Sequence, residues 1–113
     1  MQMHQIRYFL ALCEERSFTH AARRSGVSQP SLTNAIGALE RELGGALFHR
    51  RPAIALTALG RAMQPYLQQI AHAADQACET ARALVDVGPP ITEVAPLHQA
   101  ARSPQCSSGW ADN

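Results

Sequence analysis

Between residues 18 and 43 two stretches of helical periodicity meet at a single glycine, Gly26, and this junction restricts the chain more than any other feature. Ser17 is placed to cap the first stretch, where Phe18, Ala21 and Ala22 share a face. Gly26 can end it in a left-handed conformation, having no Cβ to clash. Ser28 then caps a second helix, and Pro30 falls in its first turn, where a missing N–H costs no hydrogen bond. Leu32, Ile36, Leu39 and Leu43 recur at spacings of four, three and four, and Gly44-Gly45 stops the run. Ala22 is small enough for two helices to cross closely, Gly26 permits the sharp turn, and Leu32 pins the second helix on the first. That is the helix-turn-helix plan. A plain three-helix bundle using the same turn is the alternative.

The flanking sequence completes a mainly α fold. Residues 3–16 predict a helix with Ile6, Phe9, Leu10 and Cys13 on one stripe. In 47–57, Leu47-Phe48 and Ile54-x-Leu56 flank a basic centre, His49-Arg50-Arg51-Pro52-Ala53, which suits a small hairpin with arms of about three residues. From Thr57, a good N-cap, a helical pattern runs to Val87, with Pro65 expected to kink it. Leu59, Met63, Leu67, Ile70, Ala74, Ala77, Ala81 and Leu84 follow at alternating threes and fours, close to a heptad. Thirty residues span roughly 45 Å, more than so small a core needs. The excess favours pairing of two chains over folding back. Beyond Gly88 several Pro and Ser interrupt any periodicity, and 88–113 reads as a flexible tail.

Charge is distributed unevenly. The formal net charge is +1, yet residues 1–62 carry eight Arg against four acidic groups and the remainder two Arg against five. A basic front half suits a polyanion. Cys13, Cys78 and Cys106 are too scattered for a disulfide framework or a zinc site, and the histidines share no metal-ligand spacing. No cysteine has a neighbouring base that would make it a nucleophile, so neither an enzyme nor a metal or cofactor site is expected. No basic-then-apolar leader and no membrane-length apolar run is present, so a soluble, cytoplasmic protein is expected, without a membrane partner.

The outer side of the second helix of the pair bears Pro30, Asn34, Gly37, Ala38 and Arg41, with Ser31 and Thr33 at its edges. A bundle helix normally dresses such a face in charged pairs. Here short amides and hydroxyls sit at the N-terminal end, the part that enters a major groove in helix-turn-helix proteins. Gln29 and Asn34 can bond adenine edges, and Thr33 can touch a thymine methyl.

The run Ala21-Ala22-Arg23-Arg24-Ser25-Gly26-Val27-Ser28-Gln29-Pro30-Ser31-Leu32-Thr33, with Ile36, Leu39-Glu40, Leu43-Gly44, Leu47-Phe48-x-Arg50 and Leu56-Thr57-x-x-Gly60, resembles the N-terminal domain of LysR-type transcriptional regulators over roughly residues 3–87. The resemblance implies a winged helix-turn-helix over 1–57, a linker or dimerisation helix over 58–87, and double-stranded DNA as partner. It implies that Gln29, Pro30, Ser31, Thr33 and Asn34 lie nearest the bases. Ser28, Arg50 and Arg51 would meet the backbone, and Met63, Leu67, Ile70, Ala74, Ala77, Ala81 and Leu84 would form the seam of a homodimer. Ser25 stands where the family usually has Leu, and Ala53 where a second wing Arg is common. Residues 88–113 do not resemble the start of the family's effector-binding domain, so no small-molecule effector is expected for this chain. A second function remains open: an interaction module that heterodimerises with a full-length relative.

Overall fold

The structure, a computed structural model, describes residues 1–87. Its elements run α1 (Met3–Glu15), α2 (Phe18–Ser25), α3 (Gln29–Leu43), β1 (Phe48–His49), β2 (Ala55–Leu56) and α4 (Ala58–Val87). The two strands form one antiparallel pair, with Phe48 opposite Leu56 and His49 opposite Ala55. The arms are shorter than the sequence suggests: Leu47, buried in the core, and Ile54, partly buried against it, lie outside the paired residues. The expected tail, 88–113, lies outside the described residues.

Local signals set the helix ends. The Ser17 side chain accepts from His20 N, and the Ser28 side chain from Ser31 N, each satisfying an N–H that has no partner within its helix. Gly26 closes α2 at φ 73°, with its N–H donated to the carbonyls of Ala22 and Arg23. The first helix ends differently from expectation. Arg16 adopts φ 54°, a left-handed conformation unusual for a residue with a Cβ, while its N–H donates to Leu12 O.

The core explains why α1 buries more than one stripe. Ile6, Tyr8, Phe9, Ala11 and Leu12 are all buried, because α1 packs at once against α2, α3 and α4. Leu10 and Cys13, expected inward, are only partly buried against that core. From α3, Leu32, Ile36 and Leu39 are fully enclosed, with Leu43 at the margin. The wing is rooted by Phe48, whose ring lies 5.4 Å from that of Phe9.

Helix α4 runs through Pro65 without ending. Its start is held by Thr57, whose N–H donates to Leu47 O at 3.0 Å and whose hydroxyl donates to Ala46 O at 2.6 Å while accepting from Gly60 N at 3.0 Å. Gly60 is buried against that same loop, and a Cβ there would stand 2.2 Å from Leu47 O. No side chain fits. Further along, Leu67 and Ala71 enter the core, with Leu59 and Met63 packed against it. Arg7 on α1 bridges to Asp75 on α4 at 3.0 Å.

Leu67 therefore corrects the sequence-based seam. At 1% exposure it is enclosed by its own chain and has no surface left for a second one. Heptad-like spacing records an apolar face, and the partner of that face is set by the tertiary fold.

Candidate nucleic-acid interface

Helix α3 presents Gln29, Pro30, Ser31 and Asn34 to solvent in its first two turns, while Thr33 is half-buried beside Leu32. No acidic residue occupies its first turn, so the partial positive charge of the helix start is left uncompensated. The rod is held from behind by Leu32, Ala35, Ile36 and Leu39. Ser28 caps it and also donates its hydroxyl to Ser31 Oγ at 2.9 Å, so these two are already partly committed to one another. Gln29 Oε1 accepts from the Thr19 hydroxyl at 3.0 Å.

The wing is tied to α3 by one side chain that sequence reasoning carried only as part of the resemblance. Glu40 Oε2 accepts from Leu47 N at 2.8 Å, and Glu40 Oε1 lies 3.6 Å from Arg50 Nη2. The Arg50 guanidinium also sits 5.0 Å above the Phe18 ring, a cation–π geometry. The two wing arginines thus differ. Arg50 is anchored to the head at two elements, Glu40 of α3 and Phe18 of α2, whereas Arg51 is exposed and makes no polar contact among the described residues.

The arginines of α2 divide in the same way. Arg24 pairs with Glu14 and Glu15 on α1, and the hydrogen bond to Glu14, then that to Glu15, raises its pKa above the usual arginine value. Arg23 is exposed. Among the residues expected to be inert, burial followed by the Glu14 charge pushes the Cys13 thiol up to about 11, the opposite of what a nucleophile needs. Among the described residues no group of His, Cys, Asp and Glu could hold a metal ion, and no helix is long and apolar enough to cross a membrane.

The expected seam residues on α4 separate into two faces. Leu67 enters the core of the head and Met63 packs against it, while Ala74 is half-buried. Ile70, Ala77, Ala81 and Leu84 are exposed, and they share their side of α4 with Tyr66 and Ala73, which sequence reasoning left out. Tyr66 and Leu84 are 62% and 64% exposed, leaving a long apolar stripe uncovered in the single chain.

Two short helices joined at Gly26, a third helix behind them and a two-stranded hairpin beside the second define a winged helix-turn-helix protein. Residues 3–61 match the bacterial regulatory helix-turn-helix proteins of the lysR family, and this chain belongs to that family. It is 42% identical over 87 residues to the HTH-type transcriptional regulator IlvR of Caulobacter vibrioides, covering 76% of this chain and 29% of that protein. It is 40% identical over 85 residues to the HTH-type transcriptional regulator BudR of Klebsiella aerogenes, covering 74% and 59%. The chain thus spans less than two thirds of either relative, 29% of one and 59% of the other. Among solved structures, the BenM_DBD/catB site 1 DNA complex is similar at TM-score 0.73 and 32% identity, covering 80% of this chain and 100% of that one. The CbnR_DBD–DNA complex is similar at TM-score 0.68 and 36% identity, covering 75% and 99%.

Proposed function

We propose that this chain is a sequence-specific, DNA-binding transcriptional regulator that acts as a homodimer on double-stranded DNA in the cytoplasm, without catalytic activity. The observation that carries the reading is the solvent-facing polar start of α3, capped by Ser28 and free of carboxylates. Its likeness to two domains solved with DNA supports the same partner.

In this mechanism residues 1–57 form the reading head and 58–87 the pairing helix. Helix α3 enters the major groove, where Gln29, Pro30, Ser31, Thr33 and Asn34 read base edges. Ser28 and Arg51 meet phosphates, which position the head without reading sequence. Arg50, held by Glu40 and Phe18, keeps the wing at a fixed distance from α3 and offers its outer N–H groups to the backbone. Pairing uses Tyr66, Ile70, Ala73, Ala77, Ala81 and Leu84, the stripe the head leaves uncovered.

Selection of bound duplexes from a random pool, at stated salt, tests this reading. A dyad motif is expected, with half-sites a whole number of helical turns apart. If each protomer neutralises two or three phosphates, log K against log salt falls with a slope of roughly −4 to −5. No enriched motif overturns the reading. Enrichment only after mixing with a longer relative would favour the interaction module, for which no observation here speaks.

A further inference from the structure

The first residue of α3 is held by the neighbouring helix. The Thr19 hydroxyl, on the first turn of α2, donates to Gln29 Oε1 at 3.0 Å across a sequence separation of ten, although both residues are exposed. A carboxamide has one oxygen that accepts and one NH2 that donates. With its oxygen engaged by the Thr19 hydroxyl, Gln29 is left with Nε2 as its unengaged polar group and meets a partner mainly as a donor. The latch is preorganised, because Thr is stiff at χ1, Ser17 caps the turn that carries it, and the Gly26 junction fixes α2 against α3.

That orientation bears on which base the side chain can choose. Glutamine recognises adenine by donating to N7 while accepting from the N6 amino group, which requires both polar atoms on one base edge. Guanine offers two acceptors there, N7 and O6. We infer that Thr19 sets the base preference of Gln29, turning it from an adenine reader into a donor that selects an acceptor-rich edge, guanine above all. The inference rests on the reading of α3 as the base-contacting helix. Thr19 is a positioning residue, acting through Gln29 and touching no base itself.

The test uses the full 113-residue chain as wild type, Thr19→Val, Thr19→Ser and Gln29→Ala, each taken through selection on random duplexes and then titrated on duplexes differing at one position. Gln29→Ala identifies the position by flattening its preference. The wild type favours guanine there. Thr19→Val, which keeps the shape and removes the hydroxyl, shifts the ratio toward adenine by about tenfold. Thr19→Ser keeps the wild-type preference, which a purely structural role for the methyl-bearing side chain would not. Adenine preferred by the wild type, an unchanged motif in Thr19→Val, or equal weakening on every duplex overturns the latch, the last making Thr19 a phosphate contact. A motif that Gln29→Ala leaves intact overturns the latch and leaves base reading by α3 standing. No motif with the wild type overturns both.

Discussion

The two halves of α4 carry similar apolar periodicity and have different neighbours. In the first half Gly60, Leu67 and Ala71 are buried against α1 and the wing root, and Arg7 pairs with Asp75 near the point where the head ends. In the second half Leu84 and Val85 are 64% and 48% exposed. One helix thus packs one face on its own core in its first half, while the uncovered face, which already begins at Tyr66 and Ile70, continues through the second. Amphipathicity alone cannot distinguish these roles, because burial against self and burial against a second copy require the same spacing.

The largest way to sharpen this contrast is Leu67→Ala. Truncating a fully enclosed Leu should cost about 3 kcal/mol, seen as a lower urea midpoint that does not depend on protein concentration. A midpoint change that vanished on dilution would return Leu67 to the interface between chains. Gly60→Ala should follow at about 2 kcal/mol, since the added methyl has to displace backbone at Leu47. Combining Ile70→Ala with Leu84→Ala should do the reverse. The dilute chain keeps its stability within about 0.5 kcal/mol, while self-association measured by sedimentation weakens by at least about tenfold. Loss of stability comparable to Leu67→Ala would erase the contrast between the covered and the uncovered face. Arg7→Ala, at the boundary, should cost only about 0.5 kcal/mol and less at high salt, because Asp75 is largely exposed.

The smallest effect comes from His4 on α1. Its Nδ1 is buried without a hydrogen-bond partner, its ring meets Tyr8 edge-on at 5.5 Å, and burial lowers its pKa below 6.5. The folded state therefore favours the neutral ring. Its contribution is fully present above 6.5 and is lost as pH falls toward the lower folded value. Thermal unfolding should show a shallow loss over that range in the wild type, and a flatter profile in His4→Phe.

What was legible in the sequence was local chemistry. Ser17, Ser28, Gly26 and Gly44 mark their helix ends because capping involves only residues a turn apart. The outward polar start of α3 was legible for a related reason, since its opposite face is a plain Leu/Ile stripe. Contacts between distant segments were not. Tyr8 and Leu12 lie off the single stripe expected for α1, and only the convergence of three other helices explains their burial. Glu40 reads as ordinary surface charge until folding brings the Leu47 N–H and Arg50 to its two oxygens. The direction of Leu67 depends on which way the chain leaves the wing. Residues 48–56 fix that turn, and no periodicity encodes it.

The missing side chain at Gly60 has a consequence for the assembled molecule. Because a side chain at this position would run into the Leu47 carbonyl, the helix start lies directly against the wing root, and its angle of departure is set there together with Leu67 and Ala71. In a two-fold pair that angle is doubled. Under the proposed pairing, the distance between two reading heads, and with it the length of operator they would straddle, follows from that angle.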